Sequence, residues 1–187
     1  MKNVLFVLFM IYFWNTTEAQ EINFGIKGGV NFATLTGDAG DLDSRTAFHI
    51  GVITEIKISE KFSFQPELLY SSQGAKDSKF DEELKTNYLY LPLMLKYYIA
   101  DGVSIQAGPQ IGLLLSANSE FDGEEEDIKE FLNDLDFGLN FGIGYAMNNG
   151  LNFELRYNIG ISNVDDESDD FEVRNGVFQL SVGYFFF

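Results

Sequence analysis

The feature that most constrains this chain is a two-residue beat. In its last segment Phe178, Leu180, Val182, Tyr184 and Phe186 share one face, while Gln179, Ser181 and Gly183 share the other. Alternation of this kind places apolar side chains on one side of a β-strand and polar ones on the opposite side. The beat recurs in eight segments, starting near Ile22, Phe48, Phe62, Leu89, Val103, Leu135, Leu151 and Arg174. It runs through about 10 to 13 residues each time, long for a soluble strand and suited to one tilted across a bilayer.

The connections alternate too. Ser59-Glu60-Lys61, Ala100-Asp101-Gly102 and Asn148-Asn149-Gly150 are short, and their Asp-Gly and Asn-Gly pairs predict primed hairpin turns. The other four, 34–46, 74–86, 118–134 and 163–173, are long. Interleaved short and long connections put all the short turns and both termini at one end, the asymmetry of outer-membrane barrels. Aromatics mark both ends of the apolar face. Phe24, Phe62, Tyr97, Tyr145, Phe153 and Phe186 lie towards the short turns, and Phe32, Phe48, Tyr70, Phe137 and Phe178 towards the long connections. Two such belts match the two lipid–water interfaces, so the apolar face is expected to point outwards. The inverse, a soluble calyx with the apolar face inside, would leave a glycine-rich, charge-poor exterior. Pro66, Pro92 and Pro109 fall inside strands, where local bulges are expected to absorb them.

Residues 1–19 predict a signal peptide: Lys2 at the start, an apolar run from Val4 to Trp14, and a cut after Ala19. That run is too short to span the hydrocarbon as a helix. Residues 20–187 then form one barrel domain. A mean hydropathy of −0.05 is compatible with membrane insertion, because each strand is apolar on one face only. The net charge of −17 argues against nucleic acid as a partner. The chain has no cysteine, which excludes disulfides and thiolate chemistry.

The stretches Phe24-Gly25-Ile26-Lys27-Gly28-Gly29-Val30-Asn31-Phe32, Tyr90-Leu91-Pro92-Leu93-Met94-Leu95-Lys96-Tyr97-Tyr98 and Gly108-Pro109-Gln110-Ile111-Gly112 resemble the PorT-type outer-membrane β-barrel family. The resemblance implies an eight-stranded barrel of the OmpA/OmpX architecture in the outer membrane, in a family with some members tied to protein secretion. The fold expected is all-β: an eight-stranded antiparallel up-and-down transmembrane barrel, with a short helix in the third long connection. The family's terminal aromatic is matched in phase by Phe186 rather than Phe187.

Candidate functional residues fall in three groups. Lys27, Glu55, Lys57, Glu67, Lys96, Glu154 and Arg156 face the lumen, where a barrel this narrow forces charges to pair into a plug. A narrow ion path is the alternative. Lumen glycines such as Gly25, Gly138, Gly142 and Gly160 make room for the long side chains. His49, the one histidine, is expected near the long-connection end, where a partner such as Ser44 or Asp43 would assemble a lipid- or peptide-modifying site. No nucleophile motif accompanies it, and no catalytic residue or cofactor is assigned.

The third group is acidic. Glu124, Glu125 and Asp127 in one connection, and Asp165, Asp166, Asp169 and Asp170 in another, are candidates for weak divalent-cation binding shared with lipopolysaccharide phosphates. Ile128, Phe131, Leu132 and Leu135 recur at helical spacing after these acids, which predicts a helix over 125–133 with its apolar stripe on the barrel rim. The expected role is structural or interactive, through acidic external loops, with outer-membrane lipid, lipopolysaccharide and an envelope protein as partners.

Overall fold

The computed structural model describes residues 21–40, 42–164 and 172–186. The predicted signal peptide and Asp165, Asp166, Asp169, Asp170 and Phe187 lie outside them. Nine strands run in order: β1 (Ile22–Gly37), β2 (Asp43–Lys57), β3 (Phe62–Asp77), β4 (Glu82–Ala100), β5 (Val103–Phe121), β6 (Glu124–Asp127), β7 (Leu135–Ala146), β8 (Leu151–Gly160) and β9 (Val173–Phe186). Each pairs antiparallel with its neighbours. Pairing of β1 with β9 closes a ring of eight, and β6 lies outside that ring as an added strand on β5.

The beat decides which way the wall faces. Phe24, Ile26, Ile50, Val52, Leu95, Phe141, Leu180 and Phe186 are exposed on the outside. Lys27, Asn31, Gln65, Glu67, Asn140, Glu154 and Arg156 are buried inside. This inversion of the usual soluble pattern excludes the calyx. The aromatic belts are in register: Phe24 pairs with Phe186, and Tyr145 with Phe153. The rings of Phe62 and Tyr97 lie 4.8 Å apart at the same end. At the opposite end Phe32 meets Phe178 at 6.4 Å and Phe48 meets Tyr70 at 5.8 Å.

Four expectations need correction. The prolines sit without bulges: register is unchanged on either side of Pro66, Pro92 and Pro109, and each proline is itself unpaired towards one neighbouring strand and paired with the other. Losing one N–H locally costs less than shifting a whole strand, because a one-residue slip would turn every apolar side chain inwards. The real register shifts lie at the ends of the wall, between Ser44 and His49, between Asn87 and Tyr88, and between Tyr98 and Ala100. At the short turns, Gly102 and Gly150 have positive φ but Asp101 and Asn149 do not, so these are not primed two-residue turns.

The connections 34–46 and 74–86 are mostly strand, because β1 to β5 continue past the outward apolar band and turn only at 38–42 and 78–81. There the beat is lost, since neither face meets lipid, and backbone pairing alone continues. The helix over 125–133 is absent. Asp122 and Gly123, with φ of 50° and 81°, form the primed turn that folds Glu124–Asp127 back onto β5 as β6. Only one 3-10 turn, Lys129–Phe131, remains. So few residues hold a helix poorly, whereas strand pairing was already on offer along β5. Of the expected apolar stripe, Ile128 and Leu132 do turn inwards, onto Leu69, Tyr88, Tyr90, Leu114 and Ala117. Phe131 and Leu135 are exposed.

The strand extensions form a crown with an apolar core of its own: Leu35, Ala75 and Val164, with Ala39, Leu42, Leu84, Leu132 and Val173 packed around them.

Candidate functional site

Strands β1, β3, β4 and β8 bring the lumen charges together. Lys27 Nζ donates to Glu67 Oε2 at 2.7 Å and to Glu154 Oε2 at 2.8 Å. Arg156 grips Glu67 with two parallel bonds of 3.0 and 2.8 Å and reaches Glu154 at 3.1 Å. Lys96 Nζ donates to Gln65 Oε1 at 3.0 Å and lies 3.6 Å from Glu154. Gln65 Nε2 in turn donates to Glu67 Oε1 at 2.6 Å. All of these side chains are buried. Bidentate, multiply hydrogen-bonded geometry is what allows ions to stay buried without a large desolvation loss. Gly142 gives Arg156 its space, since a Cβ there would fall 3.4 Å from Arg156 Cβ and 2.5 Å from the Leu155 carbonyl.

Two of the seven sequence candidates stand apart. Lys57 is half-exposed at the short-turn rim, paired with Glu21 at 2.9 Å. That pairing holds the Glu21 carboxyl below its ordinary range, through hydrogen bonds from Lys57 and Asn23. Glu55 is buried, but its bonded partner is the Tyr98 hydroxyl at 2.5 Å and not a cation. One buried acid escaped sequence reasoning. Asp136 accepts from Tyr90 at 2.8 Å and from Ser162 and Asn175 at 3.1 Å each. Its place on the polar face of an alternating strand was the available signal.

His49 is fully buried on the lumen face, and its partners are neither Ser44 nor Asp43. Nδ1 lies 2.7 Å from Asn31 Oδ1 and Nε2 lies 2.8 Å from Ser181 Oγ. Because Asn31 Oδ1 can only accept, Nδ1 carries the proton and Nε2 accepts from Ser181. Asn31 is held by donating to Ser71 Oγ at 2.9 Å and to the Ser72 carbonyl at 2.7 Å. The relay ties β1, β2, β3 and β9 together across the seam where the ring closes. Ser44 instead donates to the Ala33 carbonyl at 3.3 Å.

In the crown, Lys85 bridges Glu120 and Glu125, at 2.7 Å from the latter, and so clips β4, β5 and β6 together. The hydrogen bond from Lys85 lowers the Glu125 carboxyl and the two acids raise Lys85. Glu83 takes Arg45 at 2.6 Å and Lys76 at 2.8 Å. Burial pushes the Glu83 carboxyl up, but these bonds outweigh it and the net shift is downwards. Glu124, Glu125 and Asp127 are strung along β6, and no group of three acids or histidines is placed to hold a metal ion among the described residues. At the opposite end the lumen opens into a vestibule of about 930 Å3, with Glu55, Ser63, Tyr98 and Phe185 among its lining residues.

The outer membrane protein beta-barrel domain family matches this chain over residues 17–166. Neisserial surface protein A has the same fold, with a TM-score of 0.61 at 14% identity, covering 87% of this chain and 97% of that one. So does Ail, the attachment invasion locus protein of Yersinia pestis, with 0.55 at 17% identity, covering 89% and 99%. No curated protein sequence matches the chain. A closed ring with apolar residues outside and ions inside is a wall built for lipid, and the chain belongs to the outer membrane protein beta-barrel domain family.

Proposed function

We propose that this outer-membrane barrel is a non-enzymatic interaction protein whose working part is the crown. The observation that carries this reading is the contrast between its two halves. The lumen is filled by buried, mutually bonded charges, whereas the crown is packed on an apolar core and presents an acidic surface beyond the membrane. Its partners are an envelope protein and the surrounding lipopolysaccharide, whose phosphates reach the crown's carboxylates through shared divalent cations. Work beside a protein-secretion apparatus is the specific form that the PorT-type resemblance adds. Cross-linking in intact outer membranes, followed by capture of the full chain, is expected to recover a partner that a crown-trimmed variant does not. Equal recovery by both would overturn the reading. Planar-bilayer recordings are expected to show no discrete conductance, and steady single-channel steps would favour the ion path.

The order Asn31–His49–Ser181 favours a second reading, since it is that of a hydrolytic relay of orienter, base and nucleophile. Against it, all three residues are buried, so a substrate would have to enter the packed lumen. Replacing His49 with Ala is expected to leave the lipid and peptide profiles of the membrane unchanged; an altered profile would support catalysis.

A further inference from the structure

Glu55 is the one lumen carboxylate of the charge group without a cation. The residue is only 3% exposed, yet no ion pair reaches it among the described residues. The Tyr98 hydroxyl is its hydrogen-bond donor, to Oε1 at 2.5 Å. Lys96, whose Nζ stands 5.8 Å from the Tyr98 ring centroid, is committed to Gln65 and Glu154. Lys57, two residues along the same strand, is committed to Glu21. Asp136 is buried with three neutral donors, whereas Glu55 has one, and a carboxylate buried with so little support is costly, a cost that a positive group would offset.

The place is open to such a group. Glu55 lies on the wall of the vestibule at the short-turn end, the periplasmic side in barrels of this type. Ser63, fully buried in the same wall, has a hydroxyl oxygen with no hydrogen-bond partner. The rings of Tyr98 and Phe185 also line it, and aromatic faces attract cations and cover alkyl stems.

We propose that Glu55 is the anionic anchor of a binding site for an alkylammonium or guanidinium group entering the vestibule from the short-turn side. The carboxylate supplies charge, Ser63 accepts an N–H, and the two rings cover the carbon chain. The site stands independently of any role of the crown.

The test uses the full chain folded in a neutral detergent and titrated calorimetrically with spermidine and, separately, with a blocked trilysine peptide. Saturable binding of at least one probe is expected. Tighter spermidine binding identifies a free polyamine as the source, and tighter peptide binding a polypeptide side chain. Glu55→Gln is expected to weaken binding about tenfold or more, since a charge-assisted bond is lost. Glu130→Gln, exposed in the crown at the opposite end, is expected to leave it unchanged, and Lys57→Met to leave it unchanged or tighten it. Heat-modifiable migration on gels checks that each variant is folded. Absence of saturable binding to the folded protein, or equal binding by folded Glu55→Gln, overturns the proposal.

Discussion

Arg156 and Glu67 show how a single residue type shapes the interior. The guanidinium is planar and cannot shed its proton, so once β8 turns it inwards it must find acceptors there. Glu67 and Glu154 provide them, and Lys27 braces the same two carboxylates. Removing one member leaves buried charge uncompensated. Arg156→Met is therefore expected to destabilise the barrel by about 3–5 kcal/mol. Arg156→Met with Glu67→Met is expected to cost less than the two single changes added together, because each strands the other's charge. Urea unfolding in lipid vesicles measures both. That these residues face the lumen was legible from alternation alone. Which acid meets which base was not, since Glu67 and Arg156 lie on strands that never pair with each other. His49 teaches the same lesson: its inward face was readable and Asn31 reaches it from the paired strand β1, but Ser181 reaches it only because the ring closes β1 on β9.

At the level of elements, turn chemistry overrode helical spacing. Asp122-Gly123 carried a hairpin signal as plain as Asp101-Gly102, and β6 follows from it. A Cβ on Gly123 would meet nothing within 4 Å, so Gly123→Ala tests the positive φ by itself. The cost is expected to be about 1 kcal/mol, confined to the β5–β6 hairpin, with hydrogen exchange of β6 amides as the readout. The crown's ion pairs predict its pH response. Glu83 titrates below its ordinary value in the folded crown, so its pairing stabilises above about pH 4.5 and is lost as pH falls through the lowered value. Glu125 acts in the same direction. Lys85 is raised, so its contribution is complete below the ordinary lysine range and is lost only as pH climbs through the raised value. Protection factors, which correct for the slower intrinsic exchange in acid, are therefore expected to fall for amides in β6 and at the crown ends of β4 and β5 between neutral pH and about pH 3, while those within the wall stay high.

The whole molecule is two structures built on one set of strands: a wall whose exterior suits lipid, and a crown folded like a small soluble protein around Leu35, Ala75 and Val164. The wall has no free edge, so it does not depend on the crown for closure. Replacing residues 75–84 and 116–133 with short turns is expected to leave a barrel that still inserts and still shows heat-modifiable migration. A trimmed chain that remains soluble or aggregated would show that the crown is needed to fold the wall.

By itself, the sequence determined the strands, their inward and outward faces, the aromatic belts and the closed barrel in the outer membrane. These follow from local periodicity and from the cost of leaving polar groups in hydrocarbon, both of which can be read along one strand at a time. Only the tertiary structure decided the ion pairing in the lumen, the His49 relay, the isolation of Glu55 and the apolar core of the crown. Each of these depends on how strands far apart in the chain are staggered around the ring, and alternation carries no information about that stagger.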